Sequence, residues 1–564
     1  MKRTIFSILI LTFFSVFSYA KVINDSQIIP GNHWIYDDFK KLSSEQAIGA
    51  FTTNTPVSVG ELKLHLKDFD KDILSDSGRE VYDRVEDFLY NQTNLFPIEP
   101  VYAGLDVNLA PEFLWKSNDK IDWTYNYFYK DWPLSAQIDL GISNYFTIGG
   151  DFFIGKNYKA SNENGNLTNI PINYDQFEFM FPRFGYGSLG ITFADWGVNL
   201  TAGKEGLQIG NTLTGSIIYN NTFETDNFLK LEVYSNLVKY TGAIMEIGPE
   251  KILYWHQIDV RFFKKFKFGA MEGALINNDF DIRFLNPIMI FHSYAFWKNF
   301  SNETEDHYYN ESHACSYLGV TLEFNPVEYL RLYGLYAMNE IQLPNEQQGK
   351  WLSYPDSLGG QLGAELTIPS SKGGYWKSNL ETVYTSPFLY IKQAPEWSLY
   401  KQRKDNVTWQ DVNSWIGSPF GPDTFAVTGK FGYEQQRKWS VYAGYMIKLQ
   451  GENGFNLFNE KKNVEYKGKS SEVYTYYPYT KYTLADDVND QSGRDAALKE
   501  GRNMWMTGIC EYKNQISLDG SYCFTDRLSL DGQFIYTFVF NNKNTADDFQ
   551  QGIQCSLSGK WIIY

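Results

Sequence analysis

The sequence lacks a hydrophobic run long enough to form a membrane-spanning helix. After residue 20, the longest apolar-rich stretch, residues 284–297, is interrupted by Asn286, Pro287 and His292. A spanning helix needs about 20 consecutive apolar residues, so helical membrane spanning is excluded. A closed β-barrel is the other structure that satisfies its backbone groups in lipid. The remaining fold classes are therefore a membrane barrel and a soluble exported protein.

Cysteine and basic charge are also scarce. The four cysteines, Cys315, Cys510, Cys523 and Cys555, are too few and too scattered for a disulfide scaffold. A Cys510–Cys523 bridge would require the two residues to lie on neighbouring strands, and the alternative is that all four are unpaired. A net charge of −16 argues against binding to nucleic acid through phosphate attraction.

The first 20 residues have the features of a signal peptide. Lys2 and Arg3 precede an apolar stretch at residues 5–17, and Ser18-Tyr19-Ala20 is a small-x-small cleavage site. No cysteine follows Ala20, so a lipoprotein anchor is not predicted. We expect an exported protein from which residues 1–20 are removed.

Residues 21–95 carry helical signals. Apolar and polar spacing predicts helices over residues 33–46 and 58–74, the second starting with a capping box of Ser58 and Glu61. A third helix is predicted from the apolar stripe Val81, Val85, Phe88 and Leu89. Three short helices form a small core that would be weak alone, so we expect this bundle to pack on the rest of the chain.

From about residue 100 the hydrophobic period changes to two. Leu229, Leu231 and Val233 alternate with Lys230 and Glu232, and similar runs of about ten residues continue to the end of the chain. That is the length of a tilted strand that crosses a bilayer. An aromatic content of 17% also fits the girdles of a barrel. At roughly 25 residues per strand and loop, residues 96–564 predict about 18 antiparallel strands. The charged face would line the lumen of a barrel or meet bulk water on a sandwich.

The longest irregular stretch, residues 451–503, is predicted to be an outer loop. Its tyrosines Tyr474, Tyr476, Tyr477 and Tyr479 are candidate polysaccharide contacts, because tyrosine offers both a stacking face and a hydroxyl. The alternative is that they extend a hairpin above the membrane and pack on each other.

A series of short motifs between about residues 175 and 452 resembles the Wzi-like capsule assembly proteins. The motifs are, in order, Gly203-Lys204-Glu205 with Gly210 and Gly215-Ser216, Tyr254-Trp255-His256-Gln257, Glu272-Gly273, Arg283-Phe284-Leu285-Asn286-Pro287, Leu332-Tyr333-Gly334 with Glu340, and Gly417-Ser418-Pro419-Phe420-Gly421-Pro422-Asp423. The resemblance lies in their order and spacing, since each motif alone is short.

The resemblance implies an all-β transmembrane barrel of about 18 strands, with the N-terminal helical domain plugging its periplasmic mouth. It also implies a lectin-like role in retaining surface or capsular polysaccharide at the outer membrane. We further expect a non-catalytic monomer surrounded by outer-membrane lipid, with no cofactor or metal. The motif positions to which no role is assigned are Lys204, Glu205, His256, Glu272, Asn286, Pro287 and Asp423.

Two other functions remain open at this stage. One is an outer-membrane diffusion channel or transporter for small solutes, which would need an open lumen. The other is a soluble glycan-processing enzyme, although no spacing of nucleophile, histidine or paired carboxylates supports catalysis. His307, His313 and Cys315 lie close in sequence, but a fourth metal ligand is missing.

Overall fold

The structure is a computed structural model. It describes residues 24–49, 53–91, 101–122, 132–156, 167–171, 177–178, 184–221, 226–249, 251–277, 280, 282–291, 314–341, 356–392, 398–404, 411–454, 461–466, 469–474 and 505–563.

The described strands form a closed antiparallel barrel of 18 strands, as the period-two pattern predicts. The strands are β1 (Val101–Leu109 continued by Glu112–Lys116), β2 (Leu134–Ile142), β3 (Phe146–Lys156), β4 (Gly185–Phe193), β5 (Trp196–Glu205), β6 (Asp226–Ser235), β7 (Val238–Gly248), β8 (Lys251–Phe262), β9 (Phe266–Asn277), β10 (Ala314–Phe324), β11 (Leu330–Glu340), β12 (Ser357–Pro369), β13 (Tyr375–Thr385), β14 (Thr424–Gln435), β15 (Trp439–Gln450), β16 (Glu511–Thr525), β17 (Leu528–Phe540) and β18 (Gln550–Ile562).

The barrel closes between the last strand and the first. Trp561 of β18 pairs with Leu109, and Cys555 pairs with Trp115 in the second half of β1. Between those halves lies Pro111, which has no backbone N–H to donate to a neighbouring strand. Each strand therefore has a neighbour on both sides, which removes the exposed sheet edges that lipid cannot satisfy.

The two faces of each strand have opposite chemistry. Leu229 and Leu231 of β6 are 42% and 38% exposed on the outer face, whereas Lys230 and Glu232 are 3% and 1% exposed and point into the lumen. Phe534 of β17 is likewise exposed on the outer face. The charged positions therefore line a lumen, as expected for a barrel and not for a sandwich.

The two ends of the barrel differ in the length of their connections. Short turns at residues 143–145, 194–195 and 236–237 join strands at one end, which we call the turn end. Long connections, such as residues 206–225 and 386–423, lie at the other end, which we call the loop end. In outer-membrane barrels the short turns face the periplasm.

The three predicted helices are present at the turn end. They are α1 (Ile35–Glu45), α2 (Val59–Leu66) and α3 (Asp76–Tyr90), and a 3-10 turn at Lys71–Ile73 follows α2. The Gly49 amide donates to the Lys264 carbonyl in one short turn, and the Tyr329 amide donates to the Ser44 carbonyl in another. Among the described residues, no helix is both long and apolar enough to cross a membrane.

Three details differ from the sequence expectations. The helix predicted over residues 58–74 ends at Leu66. Ser58 accepts the Glu61 amide at 3.3 Å, but the Glu61 carboxylate binds Lys239 rather than returning to the cap. Cys510 precedes β16 and Cys523 lies near its far end, so one extended strand separates them and a bridge is excluded. All four cysteines are free.

Candidate functional site

The lumen at the turn end is filled by the helices and a buried ionic chain. Lys239 of β7 lies 2.8 Å from Glu61 of α2 and 2.8 Å from Glu232 of β6, and Lys230 lies 3.0 Å from the same Glu232. Each of these four side chains is at most 3% exposed. The alternating charges satisfy one another, so the helix is held to the wall without water between them.

A second ionic cluster joins α1 to the opposite wall. Lys377 of β13 lies 2.9 Å from Asp37 of α1, and Lys41 of the same helix lies 2.6 Å from Glu434 of β14. The helices are thus tied by charge to strands on both sides of the lumen.

Above the helices, residues 206–221, which we call the inner segment, fold back into the lumen. Ile217, Ile218 and Tyr219 are fully buried there. The Tyr317 hydroxyl lies 2.7 Å from the Ile218 carbonyl, and the Tyr390 hydroxyl donates to the Ile217 carbonyl at 2.5 Å.

The inner segment is also held by one carboxylate and by apolar packing. The amides of Leu213 and Thr214 donate to Glu381 of β13 at 2.7 and 3.0 Å. Apolar side chains from the segment and from several strands form a single buried cluster around it. Its members include Leu207, Ile209, Ile217, Ile218, Tyr219, Met245, Trp255, Met271, Leu275, Tyr317, Leu335, Val383, Leu389 and Ile416. The inner face of the barrel wall is therefore apolar at this level and packs against the inner segment.

A third layer covers the inner segment from the loop end. It is formed by residues 386–392, 398–404 and 411–423, which we call the cap segments. Lys401 lies 2.6 Å from Asp226, and both side chains are fully buried. The Asn220 amide donates to the Ile416 carbonyl at 2.7 Å. Three successive layers of the chain therefore occupy the lumen between the turn end and the loop end.

Asp423, one of the motif positions, joins three loop-end segments. It follows Pro422 in the left-handed region, with φ of 57°, and is fully buried. Its carboxylate accepts the amides of Thr507 and Asn453, each at 3.2 Å. Burial raises the pKa of Asp423 to about 6, although these donors act to lower it. The position is structural: it fixes the cap segments to residues 451–454 and 505–510.

Lys204 and Glu205 end β5 near the loop end. Glu205 is buried on the lumen face and Lys204 is on the outer face, where it is half-buried. The structure does not bring these two residues to Asp423 or to the remaining motif positions.

The other motif positions come together on the outer wall. His256 of β8 pairs directly with Glu272 of β9, and His256 Nε2 lies 3.2 Å from the Glu272 carboxylate. Residues 282–291, which contain Asn286 and Pro287, lie over this pair, and the Phe291 amide donates to Glu272 at 3.1 Å. We call residues 282–291 the wall segment. His256, a motif position to which the sequence assigned no role, is thus hydrogen-bonded on the lipid-facing side of β8.

The predicted polysaccharide contacts are largely outside the described residues. Tyr474 ends a hairpin strand, Lys469–Tyr474, and pairs with Lys461, so part of the predicted irregular loop is a β-hairpin. Tyr476, Tyr477 and Tyr479 lie outside the described residues, as do His307 and His313. Within the part of the chain that the structure describes, no three or more His, Cys, Asp or Glu side chains are grouped to hold a metal ion.

The barrel is similar to solved outer-membrane structures. Wzi from Escherichia coli, described as an outer membrane protein involved in group 1 capsule assembly and a carbohydrate binding β-barrel, matches with a TM-score of 0.56 and 11% identity, over 94% of this chain and 99% of that one. Pseudomonas aeruginosa OprD (TM-score 0.37, 8% identity, 82% of this chain and 96% of that one) and OccK11 (0.36, 9%, 82% and 95%) also match.

The likeness to Wzi shows the fold of an outer-membrane barrel. At TM-scores below 0.5 the OprD and OccK11 matches carry no argument, and at 11% identity the Wzi match concerns the fold alone. No family model and no curated protein matches the chain.

Proposed function

We propose that this chain is a monomeric outer-membrane anchor that retains or organises surface or capsular polysaccharide, without catalysis and without conducting solutes. The observation that carries the proposal is the filled lumen. A diffusion channel needs a continuous water-filled path, whereas here the helices, the inner segment and the cap segments occupy the lumen in succession.

The chemistry of the layers favours a closed interior over a gated one. The ionic chain of Lys230, Glu232, Lys239 and Glu61 at the turn end is buried and paired, so opening it would leave charges unpaired in a medium of low dielectric. The apolar layer of the inner segment excludes the polar lining on which solute conduction depends. A protein that works from its outer surface needs neither layer to move.

The polysaccharide role rests on the barrel likeness and on the sequence motifs. Wzi, whose fold this chain shares, is described as a carbohydrate-binding barrel of capsule assembly. We extend that role here to surface or capsular polysaccharide, with the tyrosines at positions 474, 476, 477 and 479 as candidate contacts.

The proposal includes the arrangement of the chain in the cell. Residues 1–20 form a cleaved signal peptide, residues 21–95 a helical bundle at the periplasmic mouth, and residues 96–564 the barrel with its long loops outside. The short turns at the helical end support this orientation.

The experiment is a partition of glycan between cells and medium. In a strain that lacks the protein we expect total surface polysaccharide to be unchanged and the fraction released into the medium to rise. Expression of the intact chain should restore the cell-bound fraction. If the partition of glycan is unchanged and the strain that lacks the protein grows poorly on small solutes as nutrients, a transporter would be supported instead.

A further inference from the structure

The outer wall of the barrel is covered by the chain itself over β7–β9. Along the lipid-facing positions of β9, Phe268 is 37% exposed, whereas Ala274 and Ile276 are completely buried. The lipid-facing positions of β8 change in the same way, from Ile258, which is 52% exposed, to Tyr254, which is 1% exposed. The cover is the wall segment, whose Phe284 and Phe291 pack on these positions.

Beneath the cover lies a polar pair at a depth where lipid would not tolerate it. His256 and Glu272 are six residues along β8 and β9 from the Phe262–Phe266 pair at the turn end. At about 3.3 Å per residue and a tilt of about 45° that is about 14 Å, within an apolar band about 25 Å tall. A carboxylate at such a depth needs hydrogen bonds and shielding from acyl chains.

The wall segment supplies both. Its Phe291 ring stacks on the His256 ring, with centroids 4.5 Å apart and planes at 15°, and the Phe291 amide donates to Glu272. A second stack, Phe284 on Tyr254 with centroids 4.8 Å apart, fixes the other end of the segment. The polar pair thus anchors the segment, and the segment hides the pair.

Three backbone amides of the segment are satisfied within it. The Asn286 amide donates to the Arg283 carbonyl, and the Met289 amide donates to the Asn286 carbonyl. The Ile288 amide donates to the Asn286 side-chain oxygen at 3.2 Å. Pro287 has no amide hydrogen that would need a partner. Irregular backbone is tolerated at membrane depth where it is buried against protein, and the inner face of this segment packs on β8 and β9.

Most of the side chains that face away from the barrel are apolar, although Asn286 and Arg283 are exposed as well. Ile282, Ile288 and Ile290 are 70%, 87% and 64% exposed. The one charged residue of the segment is the exposed Arg283, whose long side chain can extend to the headgroup level. Exposed isoleucines at this density would be a liability in water, but they continue the lipid-facing surface of Ile258 and of Leu318 on β10.

We propose that the wall segment is embedded in the loop-side leaflet of the membrane and binds its acyl chains, with Glu272 and His256 as the positioning residues that hold it against the barrel. The connection between β9 and β10 therefore begins by folding over the outside of the wall. This surface is separate from the loop-end surface that the glycan proposal uses, and the two proposals can fail independently.

The test uses spin labels on the full-length barrel, with all four cysteines replaced by alanine, in vesicles of phosphatidylcholine and phosphatidylglycerol. A nitroxide is attached after Ile288→Cys. The lipid-facing control is Leu318→Cys, and the water-facing control is Ala546→Cys in the exposed connection between β17 and β18. Heat-modifiable gel migration verifies that each variant is folded.

We expect the label at position 288 to match that at position 318: strong relaxation by oxygen, which partitions into lipid, and weak relaxation by a water-soluble nickel chelate. Nickel access equal to that at position 546 would overturn the proposal, because the segment would then lie in water. Access to neither reagent, with spin–spin broadening, would also overturn it and would indicate that a second copy of the chain covers the patch.

A second pair of variants tests the positioning residues. Glu272→Leu removes the acceptor of the Phe291 amide, so nickel access at position 288 should rise. Glu272→Gln retains an acceptor oxygen and should leave the label as in the parent. Equal nickel access to the label at position 288 in both variants would show that Glu272 does not hold the segment. If Glu272→Leu does not fold, the Ile288→Cys comparison still decides the location of the segment.

Discussion

Lys239 and Glu61 form an ion pair with a 2.8 Å separation inside the barrel, between a wall strand and the second helix, with side chains 2% and 0% exposed. Lys239 also contacts Glu232 at 2.8 Å, which is paired with Lys230 as well, so Lys239 links Glu61 to a second buried ion pair. The pair joins α2 to β7 by a direct contact, which the sequence pattern does not predict.

Replacing that cation should destabilise the protein strongly. In Lys239→Met, Glu61 loses its lysine partner while Glu232 keeps Lys230, and breaking a buried pair in this way costs about 3–5 kcal/mol. The midpoint of unfolding in denaturant, followed by heat-modifiable gel migration, measures the effect. Lys438→Met, at an exposed turn position, is the control and should stay within about 0.5 kcal/mol.

A double variant refines this prediction. Adding Glu61→Gln to Lys239→Met removes the carboxylate that has lost its lysine partner, so the double variant should be more stable than Lys239→Met alone. If the single variant unfolds like the parent, the ion pair does not hold the helices to the wall.

The carboxyl of Asp423 predicts a pH dependence at the loop end. Its pKa in the folded protein, about 6, is above the usual value of about 4 for an unfolded chain. The resulting stabilisation is present at low pH, where the group is protonated in both states, and it is lost as the pH rises through 6.

Asp423→Asn removes that titration. We expect the thermal midpoint of the variant, relative to the parent, to be higher at pH 7.5 than at pH 5, because only at the higher pH does the parent bury an ionised carboxylate. An identical difference at both pH values would contradict the assignment of the pKa to this residue.

The next prediction concerns Tyr474, at the end of the β-hairpin, and the tyrosines that follow it in the sequence. Replacing Tyr474, Tyr476 and Tyr479 with alanine should release surface glycan into the medium while the barrel still migrates as folded, since loops on a rigid scaffold commonly carry binding residues. Tyr512→Ala, on the lipid-facing side of β16, is the control. Unchanged retention in a folded triple variant would assign the tyrosines a structural role and place the glycan contacts elsewhere.

Periodicity alone was enough to predict the barrel wall and the helices. Leu229 and Lys230 take the faces that the alternation assigns them, and α3 spans the stripe from Val81 to Leu89. These features depend on neighbours two, three or four residues away, which the sequence displays directly.

The contents of the lumen could not be predicted in the same way. The inner segment has no helical or strand period, and its position depends on contacts with Tyr317 and Tyr390, which lie 99 and 173 residues away from their partners in the chain. The one local indication is the pair Gly210 and Gly215, whose φ values of 91° and 106° allow turns that a residue with a side chain would resist.

The rule that charges face the lumen was wrong at Glu272. The alternation of β9 places this residue on the lipid-facing side, where a carboxylate is costly, and the sequence does not reveal that residues 282–291 return to cover it. The motif positions His256, Glu272, Asn286 and Pro287 were identified by resemblance, but their common site became apparent only from the register of β8 with β9 and the hydrogen bond from Phe291.

Removing the helices tests whether the lumen has more than one layer. Deletion of residues 24–91 should leave conductance in planar bilayers low, because the inner segment and the cap segments still occupy the lumen. Adding Glu381→Ala, which removes the acceptor of the Leu213 and Thr214 amides, should then raise it. A large conductance after the helix deletion alone would show that the helices are the only barrier.

Single-channel recording of the intact, refolded barrel tests the central claim, that the chain seals its own lumen. The account predicts that insertion of folded protein, verified by gel migration, produces no conductance steps above the bilayer baseline in 1 M salt. At that concentration the Debye length is about 3 Å, so surface charges have little effect on the current. Steady, stepwise openings of the intact protein would contradict it and would favour a diffusion channel.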